Sequence, residues 1–297
     1  MSLSIIIPFL NQTQITKQAL RFLLDYKTDL NTHIVLFDNG SSESLEIPDK
    51  VQYIKMPNNI GNYPVFFEVR KRLNAGEING DIIGFFHSDF LIEEGGYDTK
   101  IIQTFQEHPQ LGLLGMVWST EIDILGGRGR GTRSNFQGLN GGTTAEQNGG
   151  RFGKYMKAAV LDGCSMIFRR EVLEKLPFKE NFPPHHFYDK LISCQVQEMG
   201  YEVGGLGLAC DHVSGQTANT QQDYFNLAKS WCYTHLGIQN PEEYKKVEGV
   251  DQYLKTQRWQ PYPTSIDNWD MVVYLEAERQ FLQEYKYTKG FIPRSVS

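Results

Sequence analysis

The chain has no excess of basic residues: 29 Lys and Arg stand against 35 Asp and Glu, a net charge of −6 with a pI of about 5.7. It therefore carries no overall positive field to recruit nucleic acid or an anionic membrane surface. No apolar run approaches the roughly 20 residues that cross a bilayer. Met1-Ser2-Leu3-Ser4-Ile5 lacks the basic opening of a secretory signal. The four cysteines, Cys164, Cys194, Cys210 and Cys232, lie far apart with no C-x-x-C pair. That spacing argues against a structural zinc site and fits a reduced, cytoplasmic setting. What remains is an ordinary globular composition, 40% hydrophobic and 22% charged over 297 residues. Such a length buries a sizeable core, as one large domain or as a domain with an appendage.

Periodicity supplies the organisation. Short apolar runs at residues 3–8, 33–37, 51–56, 82–86 and 111–117 read as buried strands. Between them, residues 14–26, 63–73 and 98–108 carry apolar side chains at helical spacing, with Pro64 at a permitted first-turn position. Strands alternating with helices at this spacing predict an α/β fold with a mostly parallel, doubly wound sheet. From Gly126 to Gly153 the pattern stops in a glycine-rich stretch holding Arg128, Arg130, Arg133 and Arg151. So long an aperiodic stretch reads as an active-site loop or a disordered insertion. Regularity returns with strands at 155–161 and 165–169, helices at 171–176 and 189–199, and a strand at 201–208. Aromatic residues at helical spacings (Tyr224, Phe225, Trp231, Tyr274, Phe281, Tyr285) then predict a helical C-terminal extension over 219–297.

The strand at 82–86 ends abruptly in His87-Ser88-Asp89. A strand that delivers an imidazole and a carboxylate to its carboxyl end places metal-ligand chemistry at the sheet rim, where open α/β sheets bind nucleotides. The other strand ends are polar too: Pro8-Phe9-Leu10-Asn11, Asp38-Asn39-Gly40-Ser41-Ser42 and Asn58-Asn59-Ile60-Gly61 follow the first three strands. Asp38 either accepts hydrogen bonds from a base or ribose, or makes an Asx-type bond within its turn. For Asn59 and Gly61 a tight turn and a ligand contact are equal readings.

In their order along the chain these pieces resemble family 2 glycosyltransferases. Those open with an apolar strand ending in Pro-x-x-Asn and a second strand ending in Asp-x-x-Ser. The likeness continues through Asn59-Ile60-Gly61, His87-Ser88-Asp89, Asp162-Gly163-Cys164, Arg169-Arg170 and Tyr188-Asp189. It implies the A-type glycosyltransferase fold over residues 1–218, with a nucleotide-binding half (1–118) and an acceptor half (119–218). The implied reaction is inverting transfer from a nucleoside-diphosphate sugar, UDP-linked, to a hydroxyl acceptor such as a saccharide. The implied roles are base contact for Pro8, Phe9, Asn11 and Asp38, and diphosphate contact for Arg70. Ser88 joins the donor site; Asp162 and Gly163 meet the donor sugar or acceptor. Asp89 and His212 (or Asp211 in its place), with His87, hold a divalent cation, Mn²⁺ or Mg²⁺, and His87 alternatively touches donor ribose or phosphate. An imidazole where the family has a first Asp tilts the choice towards Mn²⁺.

Asp189, at a helix start, is the implied general base, or else an ordinary N-cap. His185 and His186 contact the acceptor or are solvated loop residues. The arginines of 126–153 close on a diphosphate or an anionic acceptor, order on a nucleic acid, or belong to a solvated insertion, and Ser214 to Thr217 form part of a loop over the diphosphate. Other function classes stay open: a non-catalytic nucleotide-sugar-binding or scaffold protein, and a nucleotidyltransferase, although Pro8-Phe9-Leu10-Asn11 lacks the glycine-rich signature of that class.

Overall fold

A computed structural model describes residues 1–28, 31–119, 132–135, 154–178 and 188–213. The strands are Leu3–Phe9 (β1), Thr32–Asp38 (β2), Val51–Lys55 (β3), Ile82–Phe86 (β4), Phe90–Ile92 (β5), Leu111–Gly115 (β6), Trp118–Ser119 (β7), Thr132–Arg133 (β8), Tyr155–Lys157 (β9), Val160–Leu161 (β10), Ser165–Arg169 (β11), Glu202–Leu206 (β12) and Cys210–His212 (β13). The helices are Thr13–Tyr26 (α1), Asn62–Asn74 (α2), Tyr97–Glu107 (α3), Arg170–Lys175 (α4) and Tyr188–Glu198 (α5).

The central sheet has eight strands in the order β3-β2-β1-β4-β11-β6-β12-β9. Pairing is parallel for β1 with β2 and β4, β2 with β3, and β6 with β12. The expected parallel order breaks at β11, which runs antiparallel to both β4 and β6. β11 lies between β4 and β6, so a strand of the second half is inserted between two strands of the first. The second half of the chain thus threads into the sheet of the first, and the two halves share one core.

Alternation along the strands sends side chains to two faces. Ile6, Val35, Phe37, Ile83, Phe85, Met166 and Phe168 pack with residues of α2, α4 and α5. Leu3, Ile5, Ile7, Ile34, Leu36, Ile82, Phe86 and Ile167 pack with residues of α1 and α3. Helices cover both faces, as a doubly wound sheet requires. Each fully buried Ile, Leu or Phe in these layers contributes about 1.5–3 kcal/mol relative to exposure.

Residues 155–161, expected as one strand, are two. Ala158 donates to Val203 O at 2.8 Å on the central sheet, and Ala159 donates to Ser119 O at 2.8 Å in a second, three-stranded sheet. The chain changes sheets between adjacent residues, which hydropathy does not reveal. Among the described residues no helix is long and apolar enough to cross a membrane, and Cys164, Cys194 and Cys210 are buried. The C-terminal extension (219–297), Ser214 to Thr217, His185, His186, Arg128, Arg130 and Arg151 lie outside the described residues. Of the stretch from Gly126 to Gly153, residues 132–135 are described and include β8, paired with β7.

Candidate active site

The carboxyl ends of β1, β2 and β3 carry loops joined by polar side chains. Asn11 Oδ1 accepts from Ser42 N–H at 3.0 Å and Glu43 N–H at 3.2 Å, and Asn11 N–H donates to Ser41 Oγ at 2.8 Å. Asn11 and Gln12 have φ of 54° and 52°, a left-handed turn that Asn tolerates better than most residues. Pro8 lies half-buried just before it. Phe9 is buried and meets this region through its backbone, its carbonyl accepting Asn39 N–H at 2.8 Å. Asn39 Nδ2 donates to Asn59 Oδ1 at 3.0 Å and Gly61 O at 3.4 Å, while Ile60 N–H donates to Asn39 Oδ1 at 3.0 Å. Asn59 Oδ1 also accepts Gly61 N–H at 2.9 Å, at the start of α2. At Gly40 (φ +91°) a Cβ would fall 2.5 Å from the backbone carbon of Asn58, so only glycine lets the second and third loops touch.

Asp38 lies at the centre of this rim, 0% exposed. Its Oδ1 accepts Ser41 N–H at 2.6 Å, the Asx-type bond that was one of the two readings for this residue. Its Oδ2 accepts Tyr53 O–H at 2.5 Å and has Lys55 Nζ at 3.5 Å. Burial alone would raise the Asp38 pKa, but the bonds from Tyr53 and Ser41, with the Lys55 charge, hold it below the ordinary carboxylate value. Burial and the Asp38 carboxylate push the Tyr53 phenol up to about 12.

The second group of residues gathers where β4 ends. Phe90 N–H donates to His87 O at 3.0 Å, closing a tight turn with the nearly buried Ser88 and Asp89 at its corners. β5 then pairs antiparallel with β13, placing His212 opposite Phe90, and Val213 N–H donates to Asp89 O at 3.0 Å. This two-stranded ribbon carries His212 back to the turn. Asp89 Oδ1 and His212 Nε2 are 3.4 Å apart, and one donor atom each from His87, Asp89 and His212 lie within 4.8 Å of one another. Burial would raise the Asp89 pKa, but the hydrogen bond and charge of His212 and the charge of His87 keep it lowered. Desolvation lowers the His87 pKa despite Asp89 beside it. Both shifts favour the forms that bind metal, a carboxylate and a neutral imidazole.

The donor set fits a divalent cation. A six-coordinate ion with ligands at about 2.1 Å holds neighbouring ligands about 3 Å apart and opposite ones about 4.2 Å apart. Three donor atoms no more than 4.8 Å apart are compatible with that spacing. Two imidazoles with one carboxylate suit Mn²⁺ better than Mg²⁺, which prefers oxygen alone.

On the opposite wall, His87 N–H donates to Cys164 O at 3.0 Å, and Asp162 Oδ1 accepts Cys164 N–H at 2.9 Å. Tyr188, 4% exposed at the start of α5, sets its hydroxyl 2.8 Å from His87 Nε2. Burial, with the charges of Asp189 and Asp162, pushes that phenol well above its ordinary value. A Cβ on Gly163 would sit 2.4 Å from the hydroxyl, so this glycine makes room for the phenol. Asp189 follows in the first turn of α5, half-buried.

Arg70, expected at a diphosphate, donates to Leu176 O at 2.7 Å and Glu174 O at 3.5 Å and lies over the Phe67 ring at 4.8 Å. The end of α4 lies within its reach, and the orphan carbonyls of a helix terminus attract a guanidinium. Arg169 likewise bonds the carbonyls of Leu111, Phe105 and His108, and Arg170 bonds Leu73 O and Glu174. Sequence reasoning missed Tyr53 and Tyr188 as partners of site residues, and β5 as a strand. Phe90-Leu91-Ile92, an apolar triplet directly after Asp89, was the available signal for β5.

A family model described as a glycosyltransferase-like family matches residues 81–253, more than half of the chain and inclusive of His87, Asp89, Asp189 and His212. Among curated proteins none matches. Among solved structures, the fold is similar to a mannosyltransferase of Pyrobaculum calidifontis in complex with GDP-Man and Mn²⁺ (TM-score 0.52, 12% identity, 95% of this chain and 71% of that one). It is also similar to TarS of S. aureus (TM-score 0.54, 14% identity, 98% of this chain), of which it spans half the length. TarS residues 1–349 in complex with UDP-GlcNAc give a TM-score of 0.50 at 13% identity, over 98% of this chain and 92% of that one. At such identities the neighbours speak for the fold, and the family match speaks for the lineage. This chain belongs to the glycosyltransferase-like family, related to family 2 and built on the A-type fold.

Proposed function

We propose that this glycosyltransferase moves a sugar from a nucleoside diphosphate, UDP-linked, to a hydroxyl of a saccharide or similar acceptor, with inversion and with a divalent cation. The observation that carries the reading is the convergence of His87, Asp89 and His212 within 4.8 Å at the sheet rim. The nucleotide-sugar complexes of the similar structures, and the Mn²⁺ in one of them, support it.

The donor base lies against the loops after β1–β3, lined by Pro8, Asn11, Asn59 and Gly61. Asp38 meets it by exchanging the hydroxyl of Tyr53, a residue 40% exposed, for a base N–H. Asp89, His212 and His87 would hold the cation, which would supply charge neutralisation on the departing nucleoside diphosphate. Ser88 and the Asp162–Gly163 turn border that site. Asp189 accepts the proton of the acceptor hydroxyl as that oxygen bonds to the anomeric carbon. The bond from that carbon to the diphosphate breaks, and its electron pair leaves on the phosphate oxygen. Asp189 lies in the first turn of α5, where a helix favours a negative charge.

The test is release of nucleoside diphosphate from a panel of UDP-sugars and GDP-mannose, with Mn²⁺ and with EDTA. UDP release that needs Mn²⁺ is expected, falling by about 100-fold or more in Asp89→Ala and Asp189→Asn. Full activity of those two variants overturns the assignment.

A further inference from the structure

One donor atom of the His87 ring lies within 4.8 Å of those of Asp89 and His212. Its Nε2 lies 2.8 Å from the Tyr188 hydroxyl. A nitrogen held in a hydrogen bond cannot also bind a cation, so His87 can take one through Nδ1 without breaking the bond. That requires a neutral ring with its proton on Nε2, which the phenol oxygen accepts. The opposite tautomer, with the phenol donating to Nε2, leaves a proton on Nδ1 and no lone pair for a metal.

The phenol is held firmly. Tyr188 is 4% exposed, its ring lies 5.5 Å from that of Phe66, and its hydroxyl occupies the space where a side chain on residue 163 would begin. We propose that Tyr188 is a positioning residue, whose hydroxyl accepts the Nε2 proton of His87 and so presents Nδ1 to the cation. The inference rests on the cation site of the proposed function. It also gives the start of α5 a double task, since Tyr188 sets the metal side of the cleft while the adjacent Asp189 faces the acceptor.

Manganese binding to the metal-free full chain, followed by calorimetry and by the Mn²⁺ electron paramagnetic resonance signal, tests this without turnover. Asp89→Ala is expected to abolish binding, and Tyr188→Phe to weaken it by about 10–100-fold, the usual effect of removing a partner of a metal-bound imidazole. In the His87→Ala background, Tyr188→Phe is expected to add no further loss. Histidine ¹H–¹⁵N correlation spectra of the wild-type chain should show His87 protonated at Nε2. Wild-type affinity in Tyr188→Phe, alongside loss in Asp89→Ala, overturns the positioning role and leaves the cation site standing. Unchanged binding in Asp89→Ala removes the cation site and this inference with it. A proton on Nδ1 in the wild-type spectra refutes the inference even where Tyr188→Phe fails to fold.

Discussion

Gly163→Ala offers the sharpest test of how the site is built. The added Cβ would lie 2.4 Å from the Tyr188 hydroxyl, 2.8 Å from Cζ and 3.0 Å from Cε2, against an ordinary contact of about 3.5–4.0 Å. The ring tip must therefore retreat by about 1 Å. It has little room, because Tyr188 is 4% exposed and packs 5.5 Å from Phe66, itself 4.3 Å from Phe85. Overpacking of this kind costs about 1–3 kcal/mol. The hydrogen bond to His87, 2.8 Å long, would stretch beyond use, at about 1 kcal/mol more. A loss of about 2–4 kcal/mol is expected by guanidinium denaturation followed by circular dichroism, a large share of a typical 5–15 kcal/mol. Mn²⁺ affinity should fall with it. Made in Tyr188→Phe, the same substitution should cost less, because its nearest contact, the hydroxyl, is gone. Gly163→Ala within about 0.5 kcal/mol of wild type would refute the reasoning, as would an equal cost in both backgrounds.

Three further outcomes follow from the rim. Gly40→Ala puts a Cβ 2.5 Å from the Asn58 backbone at φ +91°, and backbone cannot give way as a side chain can. A loss of at least about 2 kcal/mol and weaker UDP binding in calorimetry are expected, and unchanged UDP affinity would detach this contact from the donor site. Tyr53→Phe removes a 2.5 Å bond to a buried carboxylate and should cost about 1.5–3 kcal/mol; an unchanged denaturation midpoint would show the bond to be idle. Acid should weaken the metal-free protein in two windows. His87 has its pKa lowered from 6.5, so the unfolded chain takes up its proton first and stability declines as pH falls below that value. Asp38 has its pKa lowered from 3.8, so its contribution is present above that value and disappears as pH falls through the folded pKa. His87→Gln should remove the upper window in urea titrations across pH; an identical pH profile in that variant would sink the assignment.

The strands that position the site were legible because buried parallel strands are short, apolar and sharply ended. Ile82–Phe86 and Ser165–Arg169 match their expected bounds, each a run whose side chains all meet helices or a neighbouring strand. Direction was harder: β11 looks like any buried strand, and nothing in its apolar run tells that it lies antiparallel to both β4 and β6. The group of His87, Asp89 and His212 was half legible. His87-Ser88-Asp89 announces itself as two donors on one turn, while His212 lies more than a hundred residues away and becomes a partner only through β5 and β13. Those strands are three residues each, too short for periodicity to register. The tyrosines were least visible, because an aromatic residue in an apolar run reads as core. Tyr188 is core by its ring and site by its hydroxyl, and hydropathy records only the first. A sequence therefore displays donors that end strands more readily than groups that aim those donors. Aim arises where distant elements touch, as α5 touches the turn after β4 through one phenol and the missing side chain of Gly163.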